Sequence, residues 1–383
     1  MEVLFVSHKY PPGTGGMQKQ SYELITGMYR HCTVHQIVYE GEEHILYFFL
    51  RLQRRILQKC REYPSISVIH FNDGLLAAFC LLHRKYPHLK KSLTLHGLDV
   101  VFPNKLFQKK ILPKFNRYHQ FIAVSQATAT AAINRGLDAK KMLVIANGVD
   151  DRPPLAPLQT VESGTKNIPT YIIALGRPVK RKGFSWFIKE VLPHLHQSIE
   201  LIIVGPFQKK KPFLESLLAV FPKNLREQIL LFLGYPSDES AIRKLYLEGN
   251  STRRFRHLGK LPAVELQQYL NRSLAFVMPN IPIAGDMEGF GLVCLEACQA
   301  GTLVLAADID GIPQAIQHQK NGLLLSPQDA DAWIQLINSL HHNPKKRDQM
   351  IPLFQTFTSQ NYGWDIMVQH YFQAFKSLDS TGS

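Results

Sequence analysis

Cysteine is scarce in this sequence: five among 383 residues, at Cys32, Cys60, Cys80, Cys294 and Cys298. So sparse and odd a set does not build a disulfide framework, which points to a reducing compartment. Long apolar runs are missing as well. The longest, Leu75 to Leu82, falls far short of the roughly 20 residues that cross a bilayer. The opening MEVLFVSHKYPP has neither a basic leader segment nor a small-residue cleavage site, so the expectation is a cytoplasmic protein with no spanning segment. Acidic residues are outnumbered, 30 Asp+Glu against 44 Lys+Arg, for a formal net charge of +14. With 45% hydrophobic and 10% aromatic residues, disordered, collagen-like and coiled-coil classes are excluded, and the length suggests two domains of about 150–200 residues.

The positive charge is concentrated. Fourteen Lys and Arg fall between Arg51 and Arg117, opposed within that stretch only by Glu62, Asp73 and Asp99. There Phe49, Leu52, Ile56, Cys60 and Tyr63 recur at helical spacing while Arg51, Arg54, Arg55 and Lys59 take other faces, which describes a basic amphipathic helix. Such a helix either packs its apolar stripe on a sheet with a solvated basic face or is drawn to an anionic membrane surface or acidic substrate. No zinc-finger spacing or aromatic RNA-binding motif accompanies the charge, so nucleic acid is not expected as a partner.

Short β-branched runs alternate with helical stretches: Val3–Ser7, Thr33–Tyr39, Val68–Phe71, Ser92–Leu95, Phe121–Val124 and Met142–Ile145. A proline-bearing polar stretch from Asp150 to Pro169 reads as a linker. The alternation then resumes at Tyr171–Leu175, Leu201–Val204, Leu230–Leu233, Leu274–Met278, Leu303–Ala306 and Gly322–Leu325. This pattern predicts an α/β protein of two doubly wound Rossmann-like domains, residues 1–165 including the linker and residues 166–360, with ligands at the carboxyl ends of the strands in a cleft between them.

The motifs fall in loops after predicted strands. Gly13, Gly15 and Gly16 open a helix after the first strand, an arrangement that offers backbone N–H groups to a phosphate but that taken alone is more often merely a tight turn. In GRPVKRKG, Arg177 and Lys182 sit beside Gly176 and Gly183, suited to neutralise a diphosphate leaving group. The stretch MPNIPIAGDMEGFGLVCLEACQAG sets Glu288 before Gly289-Phe290-Gly291 and a helix from Leu292 to Ala300 closed by Gly301. Glu296 lies about 7–8 Å farther along that helix at ~1.5 Å rise per residue, so the two carboxylates could hold hydroxyls at separate ends of an elongated polar ligand. Asp308-Ile309-Asp310 is formally D-x-D, but it ends a strand and is not read as a metal site; Cys294 and Cys298 lack partners for a zinc set and are read as core packing. His70 and His96 both end predicted strands at the cleft.

The ordered set PPGTGG, VIHFND (68–73), TLHGLD (94–99), FIAVS (121–125), NGVD (147–150), GRPVKRKG, Glu288-x7-Glu296 and GIPQAI…NGLLL resembles the retaining GT-B glycosyltransferases of family 4, the group-1 type, over nearly the whole chain. The resemblance implies two Rossmann-like domains, acceptor side first and donor side second. It also implies transfer of a hexose-type sugar from a UDP- or GDP-sugar with retained configuration, and no cofactor or bound metal. By the same pattern Arg177 and Lys182 hold the diphosphate with help from Gly15 and Gly16, and Glu288, Gly289, Phe290, Gly291 and Leu292 line the donor sugar. Glu296 takes the ribose, His96 stands near the reacting sugar, and residues 361–383 return to the first domain. Glu288, with His96, Arg177 and Lys182, makes up the implied catalytic set. A glycan or lipid-linked acceptor, and peripheral attachment to the inner face of a membrane, extend this reading. Gln314 stands where many relatives have Glu, and the IPIAGD segment and Lys209-Lys210-Lys211 have no assigned role. A non-catalytic sugar-nucleotide or membrane-surface binding protein on the same fold and a NAD-dependent oxidoreductase are the alternatives; the oxidoreductase fails on glycine spacing, because Gln18 falls where G-x-G-x-x-G needs its last glycine.

Overall fold

The structure is a computed structural model that describes residues 1–83, 85–151, 170–206, 237–247 and 254–380. The linker residues 152–169, Arg84, the expected strand Leu230–Leu233 and the basic Lys209-Lys210-Lys211 loop lie outside the described residues. The chain divides into two compact units, Met1–Gly148 with Tyr362–Ser383, and Val149–Asn361. The division falls after Gly148, just before the stretch from Asp150 to Pro169 read as a linker. Each unit is a Rossmann-like α/β layer structure, a parallel sheet covered by helices.

In the first unit the strands are β1 (Glu2–Ser7), β2 (Thr33–Val38), β3 (Ile66–Phe71), β4 (Lys90–Leu95), β5 (Gln120–Ala123) and β6 (Met142–Val144), with helices α1 (Gly16–Met28), α2 (Ile45–Glu62), α3 (Gly74–Cys80), α4 (Leu98–Val101) and α5 (Gln126–Ile133) between them. The sheet order is β2-β1-β3-β4-β5-β6, all parallel. Its central strands are apolar on both faces because helices cover both. The order reverses between β1 and β3, where loops diverge to opposite faces and leave a crevice at the carboxyl edge.

The second unit repeats the plan with β7 (Thr170–Leu175), α6 (Phe184–Glu190), β8 (Ile199–Val204), α7 (Glu239–Leu247), β9 (Phe255–His257), α8 (Ala263–Arg272), β10 (Ala275–Met278), α9 (Leu292–Gln299), β11 (Val304–Ala307), α10 (Ile312–Ala315), β12 (Leu323–Leu325), α11 (Ala330–His342) and α12 (Pro344–Asn361). Among the described residues its order is β12-β11-β10-β7-β8-β9, again parallel, with the reversal between β7 and β10. The loops after β7 and β10 are those that carry GRPVKRKG and the Glu288 stretch.

The last helix, α13 (Trp364–Ser380), belongs to the first unit. Val368 packs so closely on Gly27 of α1 that any Cβ there would lie 2.6 Å from a Val368 methyl. Tyr371 reaches the sheet, its hydroxyl 3.0 Å from the Thr94 hydroxyl, and Gln120 donates to the Ala374 carbonyl.

Two expectations shift. His70 does not end a strand: it lies inside β3, fully buried, with its ring against Phe5, Tyr371 and Phe375, and burial drives its pKa down to about 3. The stripe of α2 expected through Phe49, Leu52, Ile56, Cys60 and Tyr63 packs on the core, and fully buried Phe48 joins it, while Phe49 is half-buried against His8 and Phe79. The basic face is also less bare than its neighbourhood in sequence suggests, since Glu43 pairs with Arg55 at 2.6 Å and with Arg51 at 3.5 Å.

Candidate active site

The loop from Gly176 to Gly183 leaves β7, and the segment from Pro279 to Gly291 leaves β10, on the two sides of the reversal in the second sheet. Backbone contact joins them: Ile281 N–H donates to the Arg181 carbonyl at 2.9 Å. The approach at Gly183 is closer than any side chain permits, since a Cβ there would lie 2.1 Å from the Pro279 oxygen.

Lys182 and Glu288 meet across this junction. Lys182 Nζ lies 2.8 Å from Glu288 Oε2, with both side chains mostly buried. Burial by itself would raise the Glu288 pKa, but the charges of Lys182 and then Arg181 outweigh it and hold the carboxyl down to about 2. The carboxylate is therefore a fixed anion, suited to accept hydrogen bonds from hydroxyl groups and unsuited to donate a proton near neutral pH. Arg181, which the motif reading passes over, stands 3.5 Å from the same oxygen through Nε and 3.3 Å from Asp286 Oδ2 through Nη1. Arg177 is exposed at the start of the loop and forms no ion pair with Glu288.

A third loop supports Glu288. After β11, Asp310 adopts a left-handed φ of 55° and accepts the Glu288 backbone N–H at 3.1 Å, while Gly311 N–H donates to the Glu288 carbonyl at 2.9 Å. The second Asp of the D-x-D thus fixes backbone. Among the described residues no group of three His, Cys, Asp or Glu is placed to hold a metal ion.

The glycines and apolar residues after Glu288 prepare the start of α9. Gly291 precedes it at φ 90° with no side chain capping the helix; the Cys294 N–H returns to the Gly291 carbonyl at 2.9 Å, and the N–H groups ahead of it are open to a ligand. Phe290 and Leu292 are buried, which limits any ligand contact there to backbone. Glu296 is half-buried on α9, more than a turn beyond Gly291. Cys294 packs its sulfur 3.0 Å from Met278 of β10, and Cys298 lies against Thr358; burial raises both thiols, that of Cys298 to about 12. Gln314 is half-buried on α10.

In the first unit the carboxyl edge gathers a separate polar group. Gly15 and Gly16 are exposed at the start of α1, where again no side chain caps the helix. His96 follows β4, half-buried, with its Nε2 2.8 Å from the Asn72 carbonyl and its backbone N–H donated to Asp99. The sequence reading missed His8 and Asp73. Both are buried at the β1/β3 reversal with His8 Nδ1 2.7 Å from Asp73 Oδ2, and Asp73 also accepts the N–H groups of Leu75 and Leu76 at the start of α3. Burial works against the Asp73 charge, but His8 and the helix N–H outweigh it and keep this carboxyl below its ordinary pKa. The signal for the pair was in the sequence, in the two strand-end positions SHK and FND, but neither carries a motif alone.

The sequence pattern of Glycosyl transferases group 1 matches residues 159–353, just over half of the chain, and that of Glycosyltransferase Family 4 matches residues 2–152. The chain belongs to the group 1 glycosyltransferases. This glycosyltransferase is 28% identical to the amylovoran biosynthesis glycosyltransferase AmsK of Erwinia amylovora over 173 residues, 42% of each chain, so the match spans less than half of that relative's length. It is 22% identical over 339 residues to an uncharacterized 41.2 kDa protein in the cps region of Klebsiella pneumoniae, covering 84% of this chain and 82% of that one. The crystal structure of HepE from Anabaena in complex with UDP has the same fold, with a TM-score of 0.71 at 20% identity over 98% of this glycosyltransferase and 100% of HepE.

Proposed function

We propose that this glycosyltransferase moves a hexose-type sugar from a UDP-sugar to a glycan or lipid-linked acceptor, with retained anomeric configuration and without a bound metal. The observation that carries the reading is the Lys182–Glu288 pair at 2.8 Å at the β7/β10 reversal, beside an uncapped helix start. Fixed cations at Arg177 and Lys182 supply the charge that a diphosphate leaving group needs. Glu288, as a permanent anion, and the backbone from Gly289 to Leu292 suit sugar hydroxyls, and Glu296 suits the ribose. Catalysis then rests on positioning and leaving-group stabilisation, with the leaving phosphate oxygen taking the acceptor proton. His96 is the residue of the first unit assigned to the reacting sugar or acceptor, and Gly15 and Gly16 are its diphosphate contacts.

Uridine is favoured over guanosine because HepE, of the same fold, has been solved with UDP and with UDP-glucose. The name of AmsK, a biosynthesis glycosyltransferase, supports a role in building a cell-surface polysaccharide. Peripheral attachment to an anionic membrane is supported by Leu46, Tyr47 and Leu50, which are exposed on the first turns of α2 beside exposed Arg51 and Arg54. In the described residues no helix is long and apolar enough to cross a membrane.

Calorimetric titration with UDP, GDP, ADP and NAD tests the reading. Selective binding of UDP is expected; selective binding of GDP would change the donor, and binding of NAD alone would overturn the transferase reading. Glu288→Ala should abolish transfer and leave UDP affinity within about twofold, whereas Glu296→Ala should weaken UDP binding by about tenfold, the worth of one hydrogen bond to a charged group. Equal loss of UDP affinity in both would refute the division of roles. Nucleotide binding without turnover across UDP- and GDP-sugars and glycan acceptors would favour a non-catalytic binder.

A further inference from the structure

Arg181 and the 281–286 segment, IPIAGD, are the parts of this site to which the family motifs assign nothing, and they are in contact. The Arg181 backbone carbonyl holds the beginning of the segment through the N–H of Ile281 at 2.9 Å. Its guanidinium holds the end through Asp286 at 3.3 Å. The same guanidinium then reaches Glu288 at 3.5 Å, on the oxygen that Lys182 already occupies at 2.8 Å. One residue thus pins both ends of a six-residue segment and touches the carboxylate two residues beyond it. The Asp286 side chain is 7% exposed and that of Arg181 20%, so the pair is not a solvated surface bridge of negligible worth.

We infer that Arg181 is a positioning residue of the transfer: it clamps segment 281–286 and gives Glu288 a second cation, which leaves Lys182 free to serve the donor diphosphate. The inference rests on the donor reading above. Its logic is charge balance. Asp286 and Glu288 are two buried carboxylates in direct contact with two cations, Arg181 and Lys182; the charge of Arg177 also acts on both without an ion pair to either, and Asp310, which accepts the Glu288 N–H, adds a third carboxylate. The thiol of Cys294 on α9 and the amide of buried Asn280 after β10 also face this carboxyl, and neither carries positive charge. If Lys182 were its only counter-ion, its movement toward a diphosphate would leave Glu288 buried among like charges, a costly state. A planar guanidinium reaching two carboxylates at once avoids this, and a lysine ammonium, a single point of charge, cannot match that geometry.

The test uses Arg181→Gln, Arg181→Lys and Asp286→Asn in the full chain, with two readouts. The first needs no donor: the Glu288 carboxyl is followed by carbon-13 NMR of glutamate-labelled protein, its resonance assigned by its loss in Glu288→Gln. In Arg181→Gln its titration midpoint should rise from the depressed value, and in Arg181→Lys it should stay low. The second is kinetic, with the UDP-sugar that supports turnover: Arg181→Gln should lower kcat on the order of 100-fold, as expected for a misplaced reacting group, while the affinity for UDP stays within about twofold. Arg181→Lys should recover only part of kcat, and Asp286→Asn should lower kcat with the midpoint still depressed. An unmoved midpoint in Arg181→Gln, or UDP affinity falling in step with kcat, would overturn the inference, the latter by making Arg181 a direct diphosphate ligand. If Arg181→Gln does not fold, full kcat in both Arg181→Lys and Asp286→Asn would overturn it instead. A wild-type protein that turns over no nucleotide sugar would refute the function reading, and the NMR arm would still decide the counter-ion role.

Discussion

Asp310 accepts the backbone N–H of Glu288 at 3.1 Å across 22 residues of sequence, and Gly311 returns a hydrogen bond to the carbonyl of the same residue. The position of the main carboxylate of the site is therefore set by the loop after β11 as well as by its own. Close approach makes this possible, because a Cβ on Gly311 would fall 2.0 Å from the Gly289 oxygen.

Gly311→Ala should accordingly push the β11 loop away from Glu288. Overpacking of this kind costs about 1–3 kcal/mol, so thermal unfolding should show a lower Tm and transfer should fall with it. Asp310 makes a finer test. Asp310→Asn keeps an oxygen that can accept the Glu288 N–H and should retain kcat within a few-fold, whereas Asp310→Ala removes the acceptor and should lose about 1 kcal/mol of stability together with most of the activity. Equal kinetics in the two variants would show that this hydrogen bond does not position Glu288.

This arrangement marks the boundary of what the sequence discloses. The strand-helix alternation and the loops bearing Lys182 and Glu288 were legible because each depends on residues close in sequence: apolar runs, Gly-rich turns, a cation or carboxylate just past a strand. Arg181 and Asp310 were not, because their roles arise only when loops 22 to about 100 residues apart converge on one carboxylate. The D-x-D at Asp308 to Asp310 gave no local sign of this role, in which its second member serves a backbone N–H 22 residues away. One member of the α2 stripe, Phe48, was missed for another reason. In ILYFFLRLQ nearly every early position is apolar, so periodicity alone does not choose between Phe48 and Phe49, and packing against Tyr39 and the sheet decides it.

His70 gives a pH test confined to the first unit. Its pKa falls to about 3 on burial, well under the ordinary value of about 6.5. The unfolded chain takes up a proton at this residue below about pH 6.5 while the folded chain does not, so folding stability is full above that pH and declines as pH falls toward 3. His70→Gln, which retains polar atoms for Asn72 and Thr94 without a titrating ring, should flatten the stability profile between about pH 6.5 and 4, whatever it costs at neutral pH. Urea unfolding at a series of pH values measures this, and an unchanged slope would mean that His70 accepts a proton in the folded state.

The outer face of α2 makes the membrane reading testable. Leu46, Tyr47 and Leu50 are 56%, 54% and 62% exposed, and they stand together on the first two turns with Arg51 and Arg54 beside them. Apolar side chains of this exposure gain on the order of 1 kcal/mol each on leaving water, and basic residues near an anionic surface add about 1 kcal/mol each at low salt. The two contributions differ in salt dependence, because only the second is screened. Binding to vesicles rich in anionic lipid should thus exceed binding to neutral ones at low salt and converge toward it as salt is raised. Leu46→Ser, Tyr47→Ser and Leu50→Ser combined should weaken vesicle binding at least about tenfold at every salt concentration, with UDP affinity unchanged because α2 carries none of the proposed donor contacts. Equal sedimentation with neutral and anionic vesicles at low salt would refute the electrostatic part, and an unaffected triple variant would refute the apolar part.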